Sequence, residues 1–259
     1  MSGASRVGTL LLSVDLEPEI QQQGDAEPER LDHLRRRLID LLRTHAAPAT
    51  WAVADPVRSV ATESILAATS GHEIAVLGDR AWLGPGCGRL RLERELARRF
   101  DGARKAGIPV TTLALRNLDQ VRELDLLVDH GITALRGPAT GSPPAADQPA
   151  PPIRFGIWQA PPGCQVPGRS SWWLPAAWSI CRRIKRSALR QSIVHLHIDA
   201  PCLAASGDHE LRMLSRVLRY AAARRQAGHL SIRTIGEIAS AALAERAASP
   251  SRSILRPAA

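Results

Sequence analysis

The sequence predicts an α/β protein, a distorted (β/α) barrel of seven or eight units. Apolar segments typical of strands alternate with amphipathic helical segments along most of the 259 residues. Asp15, Arg116 and His197 also fall where predicted strands end, and the carboxyl ends of barrel strands share one face. An open doubly wound sheet is the alternative, but no Gly-x-Gly-x-x-Gly turn follows the first strand.

The first half of the chain is expected to contain five strand–helix units. Residues 9–15 are an apolar run ending in an acid, which predicts a buried strand. Residues 30–44 place leucines on one stripe at helical spacing, which predicts an amphipathic helix. The same reasoning predicts strands at 49–53, 72–77, 110–115 and 132–135, and helices at 57–69, 89–106 and 118–130.

The regular alternation stops at residues 137–152, which contain six prolines and predict an irregular insertion. We expect a single domain over residues 1–248 and a flexible tail at 249–259. A loop is expected at 163–171. The remaining predicted strands are 153–159, 192–198 and 229–233, and the remaining predicted helices are 173–187, 208–226 and 235–247.

Composition excludes several classes of protein. Hydrophobic residues make up 44% of the chain, too many for a disordered protein. Four cysteines without Cys-x-x-Cys spacing argue against a disulfide scaffold and predict reduced thiols. No apolar run approaches the ~20 residues that span a bilayer. The amino-terminal segment lacks the features of a secretory signal, so we predict a cytoplasmic protein.

The net charge of +9 allows a polyanionic partner. The densest basic segments are residues 35–37, 89–105 and 182–190, and in all three the cations alternate with apolar residues at helical spacing. This pattern favours solvent-exposed helix faces. Aromatic residues are only 3% of the chain, and single-strand binders use many, so nucleic acid is not expected as a partner.

Five segments together resemble the polysaccharide deacetylase family, also called the NodB-homology domain or carbohydrate esterase family 4. They are Ser13-Val-Asp-Leu-Glu-Pro18, Ala49-Thr-Trp-Ala-Val53, Gly71-His-Glu-Ile-Ala75, Leu115-Arg116 and His195-Leu-His197. The resemblance implies a distorted (β/α) barrel and a metal-dependent hydrolase that removes acetyl groups from N-acetylated sugars.

The metal motif of that family is missing. The family holds its metal with an Asp and a His-x-x-x-His pair, and these positions fall here on Leu16, Leu77 and Ala81. None of these side chains can bind a metal ion, and a catalytic zinc usually needs three protein ligands. The resemblance therefore predicts a degenerate or non-catalytic relative that binds a glycan or an acetylated sugar.

Three residues retain the family's catalytic roles by resemblance. Asp15 corresponds to the catalytic base, His197 to the general acid and Arg116 to the arginine that orients the base. Structural alternatives stay open: an Asp15–Arg116 ion pair, a core histidine, and Asp79 with Arg80 in place of the lost ligands. His195 faces the same way as His197 because strand side chains alternate.

Two further hypotheses concern ligands. Tryptophans at positions 172, 173 and 178, with His195, are candidates for a sugar-binding platform beside the irregular loop. A shifted divalent-metal site, with zinc as the expected ion, is conceivable from Asp15, Glu17, His195 and His197, and Asp199 alternates on the same strand face. An active deacetylase with that site is one alternative function, and a basic polyanion-binding protein is another.

Overall fold

The computed structural model describes residues 7–17, 28–68, 71–116, 118, 121–138, 153–166, 173–206 and 208–248. Most of the predicted insertion at 137–152, Trp172 and the predicted tail at 249–259 lie outside these ranges. The strands are β1 (Gly8–Asp15), β2 (Thr50–Val53), β3 (Glu73–Gly78), β4 (Thr112–Leu115), β5 (Ala134–Arg136), β6 (Ile153–Arg154), β7 (Ile157–Ala160), β8 (Cys164–Gln165), β9 (Ile193–Asp199) and β10 (Leu230–Arg233). The helices are α1 (Pro28–Thr44), α2 (Ala61–Leu66), α3 (Arg80–Leu83), α4 (Arg89–Leu96), α5 (Gly102–Lys105), α6 (Leu124–Asp129), α7 (Trp173–Arg190), α8 (Ala200–Ser206), α9 (Asp208–Gln226) and α10 (Ile235–Ala248), with a π-helical turn (Ala97–Asp101) joining α4 to α5.

The strands form one curled sheet, which confirms the predicted α/β class and barrel-like fold. Its order is β6-β7-β5-β4-β3-β2-β1-β9-β8, and β10 pairs with β1 beside β2. All pairings are parallel except that of β6 with β7. Within the described ranges no pairing joins β8 to β6, so the sheet is an open half-barrel rather than a closed ring.

The centre of the sheet is its most buried part. Strand β1 has β9 on one side and both β2 and β10 on the other, and Leu10, Leu12 and Val14 are fully buried beneath the helices. A strand covered on both faces reads as a continuous apolar run, which explains why the sequence pattern located β1 correctly.

Three local differences from the sequence prediction have clear causes. Helix α2 begins at Ala61 rather than 57 because Asp55 accepts the N–H groups of Val57 and Arg58 in a turn. The segment predicted as one strand at 153–159 is a hairpin, with Phe155 and Gly156 at positive φ. Helix α8 was not predicted at all.

The amino-terminal ends of the strands are joined to the last helix through Glu73. Its Oε2 accepts hydrogen bonds from Thr50 Oγ1 at 2.7 Å and from the Gly236 N–H at 2.9 Å, and its Oε1 accepts one from Thr112 Oγ1. A Cβ at Gly236 would lie 2.6 Å from Glu73 Oε1, so glycine allows this close approach. Burial raises the pKa of Glu73, although these hydrogen bonds oppose the rise.

None of the described helices combines the length and the apolar character that crossing a membrane requires. The four cysteines are free thiols, and each is partly buried rather than fully buried.

Candidate functional site

The strand register places a set of polar residues on the concave face of the sheet. Leu11, Ser13 and Asp15 of β1 pair with His195, His197 and Asp199 of β9, and paired residues of parallel strands project to the same side. Towards their carboxyl ends, the intervening strands contribute small or apolar side chains to this face. These are Ala52, Ala75, Leu77 and Ala114, which form one buried cluster.

Arg136 crosses the interior of the half-barrel to reach Asp15. Its Nη1 donates to Asp15 Oδ1 at 2.7 Å and its Nη2 donates to Asp15 Oδ2 at 3.0 Å. In a flat sheet β5 would lie roughly 19 Å from β1, because neighbouring strands are about 4.8 Å apart. Curling of the sheet shortens this distance enough for the Arg136 side chain to reach Asp15. The small side chains of Ala52, Ala75 and Ala114 leave space for it to pass above them.

Asp15 and Arg136 form a deeply buried ion pair, being 2% and 1% exposed. Burial alone would raise the pKa of Asp15, but the charge of Arg136, the neighbouring His197 and their hydrogen-bonding groups together hold it well below its usual range. His197 Nε2 lies 3.1 Å from Asp15 Oδ2. Asp15 is therefore ionised at neutral pH.

His195 is neutral and fixed in one tautomer. Its Nδ1 lies 2.9 Å from the carbonyl oxygen of Pro161, which can only accept, so Nδ1 carries the proton. Its Nε2 then accepts from Ser13 Oγ at 2.8 Å. Burial lowers the pKa of His195 to about 3. Ser13 Oγ in turn accepts a longer bond of 3.4 Å from Arg136 Nη1, which connects the two halves of the cluster.

Arg116 and Glu17 lie at the edge of this cluster. Arg116 Nη2 donates to the backbone oxygen of Glu17 and lies 3.9 Å from Asp15 Oδ2. Glu17 Oε2 accepts the N–H of Ala54 at 2.7 Å. Burial raises the pKa of Glu17 to about 7, against the lowering effects of the Ala54 N–H and the Arg116 charge. The predicted orienting arginine is thus near Asp15, but the bidentate partner is Arg136.

The raised pKa of Glu17 predicts a specific pH dependence of stability. In the unfolded chain Glu17 ionises near 4.5, whereas in the folded protein it ionises near 7. The folded state therefore binds more protons between these values, and its free energy of unfolding falls as pH rises through the window. We expect Glu17→Gln to gain about 2 kcal/mol relative to the wild type between pH 4.5 and pH 7.

Urea denaturation of both proteins at several pH values measures this difference. Glutamine can still accept the Ala54 N–H, and Arg116 donates to the backbone of residue 17 in either protein, so the variant changes titration more than packing. Parallel stability curves for the two proteins across this window would contradict the assignment.

The residues at the positions of the family's metal ligands do not supply metal ligands here. Leu77 lies on the concave face and is buried, but it has no donor atom. Ala81 is exposed on α3, and Asp79 caps that helix by accepting the Ala81 N–H at 2.8 Å. Across the described residues, no group of three or more His, Cys, Asp and Glu side chains is arranged to hold a metal ion.

A divalent metal also does not fit the polar residues that are present. Both oxygens of Asp15 bind Arg136, and both ring nitrogens of His195 have protein partners. Asp199 Oδ1 accepts the Cys202 N–H at 3.0 Å and so holds the start of α8. The guanidinium of Arg136 supplies the positive charge next to Asp15, and a cation added there would be repelled.

Only part of the predicted sugar platform lies in the described residues. Trp178 lies on α7 with 64% of its surface exposed, on the outside of the half-barrel. Trp173 begins α7, but its side chain lies outside the described part, as does all of Trp172. The platform formed by Trp172 and Trp173 stays a prediction.

Arg136 is the site residue that sequence reasoning missed. The signal was present, since Leu135-Arg136 ends a predicted strand in the same way as Leu115-Arg116. The family resemblance drew attention to the earlier arginine. The distance across the curled sheet determines which arginine binds Asp15, and no local sequence pattern encodes that distance.

Comparisons with known proteins support the fold. A putative polysaccharide deacetylase from Mycobacterium smegmatis matches with a TM-score of 0.67 and 15% identity over 100% of this chain and 98% of its own. A 4-alpha-glucanotransferase from Thermococcus litoralis matches with a TM-score of 0.59 and 15% identity over 90% of this chain and 40% of its own. No protein-family model matches the sequence, and no curated protein matches it significantly.

These similarities define the class of the chain as a divergent protein with the polysaccharide deacetylase fold. The predicted resemblance is confirmed for the fold, which the match to the mycobacterial structure covers along its full length. At 15% identity the similarity shows the fold alone. The chemistry of the site is therefore inferred from its geometry.

Proposed function

We propose that this chain is a deacetylase-like protein that binds an acetylated glycan without hydrolysing it. The observation that carries the proposal is the bidentate Arg136–Asp15 pair. It stands where the family places a base that takes a proton from water bound to a metal. Here the carboxylate faces a fixed guanidinium instead.

In the family an arginine also orients the base, but the bidentate geometry of Arg136 argues against deacetylation chemistry in two ways. A general base works best when its pKa lies near the operating pH, and the pKa of Asp15 is held far below that range. The same pairing engages both carboxylate oxygens, which leaves Asp15 fewer acceptor sites for a metal-bound water. The geometry favours binding over hydrolysis.

Unsatisfied polar atoms on the concave face support ligand binding. Within the described part of the chain, Arg136 Nε and His197 Nδ1 are buried without a hydrogen-bond partner. A buried donor or acceptor left unpaired costs roughly 1–3 kcal/mol, which a ligand oxygen or hydroxyl can recover. An acetamido group provides one strong acceptor and one donor, and it matches this pair in polarity.

The decisive experiment measures turnover and binding on the same preparation. We expect no release of acetate from an N-acetylated chito-oligosaccharide, with or without added zinc, cobalt or nickel, and we expect binding of that sugar by titration calorimetry. His197→Ala should weaken binding at least roughly tenfold, because a ligand hydrogen bond in a buried site is lost. His229→Ala is the matched control, since His229 is exposed on a turn.

Two outcomes would overturn the proposal. Metal-dependent acetate release that disappears in Asp15→Asn would assign an active hydrolase with a shifted metal site. Absence of any sugar binding, or equal binding by the His197→Ala and His229→Ala variants, would remove the glycan from this pocket.

A further inference from the structure

Helix α7 (Trp173–Arg190) has an unusual distribution of charge. Its 18 residues include no acidic residue, whereas the helices α1, α4, α9 and α10 each contain at least two. Trp178, Arg182, Lys185 and Leu189 are all exposed. At 3.6 residues per turn these four positions fall within about 60° of one another, so they form a single stripe along the helix.

Three cations of α7 lack the local carboxylate partners that several arginines of other helices have. Arg43 pairs with Asp40 one turn away at 2.6 Å in α1, and similar pairs recur in α1 and between α4 and α5. Among the described residues Arg182, Lys185 and Arg186 form no ion pair with a carboxylate. The outer face of α7 is therefore a cationic surface without an internal counter-charge.

The same stripe exposes two large apolar side chains. Trp178 is 64% exposed and Leu189 is 75% exposed, near opposite ends of the helix. They are 11 residues apart, which is about three turns, so both point the same way. Exposed apolar groups flanked by unpaired cations are typical of helices that lie in the headgroup region of a membrane.

We propose that the α7 stripe, defined as Trp178, Arg182, Lys185 and Leu189, docks this protein on the surface of an anionic phospholipid bilayer. The cations would contact lipid phosphates, and the two apolar side chains would enter the boundary below the headgroups. The partner is lipid rather than an acidic glycan for two reasons. The guanidinium of Arg182 lies 5.2 Å from the centre of the Trp178 ring and covers the face that a sugar would stack on. Leu189 offers a sugar no hydrogen bond.

Co-sedimentation with vesicles tests this surface. The full chain should partition onto vesicles of phosphatidylcholine with about 30% phosphatidylglycerol, and not onto vesicles of phosphatidylcholine alone. The assay is run near 0.15 M salt, where the Debye length is about 8 Å, so that charges in direct contact with the lipid still attract it. Arg182→Glu with Lys185→Glu should lower partitioning at least roughly tenfold, because each cation near the surface contributes about fivefold. Trp178→Ser with Leu189→Ser should also lower it, without changing net charge.

A matched control keeps the test specific. Arg91→Glu with Arg94→Glu on α4 makes the same change in net charge at the same spacing on another exposed helix face, and it should leave partitioning within about twofold of the wild type. Helical circular dichroism of each variant reports folding. Equal losses in both charge-reversed pairs, or equal binding to neutral and anionic vesicles, would overturn the proposal. The proposal would also be overturned if the protein did not bind vesicles but did bind an acidic polysaccharide through Trp178. That result would assign the stripe to a glycan.

Discussion

Replacing Arg136 by methionine is expected to lower the free energy of unfolding by about 3–5 kcal/mol. The substitution leaves Asp15 ionised and buried, with its strongest partner gone, and an unpaired buried charge is among the costliest changes in a protein core. Methionine keeps much of the volume above Ala52, Ala75 and Ala114, so the loss reports the charge rather than a cavity. Urea denaturation followed by circular dichroism measures it.

The double variant Asp15→Asn with Arg136→Met isolates the pair. Neither charge remains in the double variant. Its loss in free energy of unfolding should therefore be smaller than the sum of the losses in the two single variants by about 2 kcal/mol or more. Arg116→Met serves as the control, because Arg116 lies 3.9 Å from Asp15 and bonds a backbone oxygen. A loss below about 1 kcal/mol for Arg136→Met, or additive single losses, would contradict this account of the site.

Acid should weaken the same interaction. The pKa of Asp15 is depressed in the folded protein, so its contribution is complete above the unfolded value near 3.8 and is lost as pH falls towards the folded value. The stability difference between the wild type and the double variant should therefore shrink below about pH 4, in the direction opposite to that expected for Glu17.

The second large effect is expected at the other end of the strands. Glu73→Ala should lower the free energy of unfolding by about 2–4 kcal/mol, because it leaves the hydroxyl groups of Thr50 and Thr112 and the N–H of Gly236 without their shared acceptor. That carboxylate links three strands to the start of α10. Amide hydrogen exchange at residues 235–240 should therefore speed up along with the global loss.

Two variants calibrate this second prediction. Glu73→Gln retains a carbonyl oxygen and should lose roughly half as much as Glu73→Ala. Glu93→Ala removes an exposed carboxylate from α4 and should stay within about 0.5 kcal/mol of the wild type. The network would have no structural role if Glu73→Ala were as neutral as Glu93→Ala and hydrogen exchange at the start of α10 were unchanged.

The two proposals use different faces of the molecule. Glycan binding depends on the concave side of the sheet at Asp15 and His197, and membrane docking depends on the outer stripe of α7. Variants of one face should leave the other assay unchanged, so each proposal can fail alone. Docking a glycan-binding protein on a bilayer would concentrate it beside surface polysaccharides, but neither experiment relies on that connection.

Local sequence patterns determined most of the framework. Residues 9–15 were recognised as a strand because burial on both faces favours a mostly apolar run, and residues 192–198 because their apolar residues alternate with histidines. Helix α9 was predicted with the bounds that the structure has, since its leucines recur at helical spacing over five turns. Short elements were harder: α8 and the β6–β7 hairpin depend on an aspartate cap and a two-residue turn.

The sequence by itself also identified Asp15 and His197 as polar residues near the carboxyl ends of strands, and the lack of histidine at positions 77 and 81. Only the tertiary structure decided which arginine binds Asp15. Arg116 and Arg136 end their strands in the same way, and their sequence contexts do not rank them. The curvature of the whole sheet sets the distance across its interior, and the small side chains at Ala52, Ala75 and Ala114 leave that path open for Arg136.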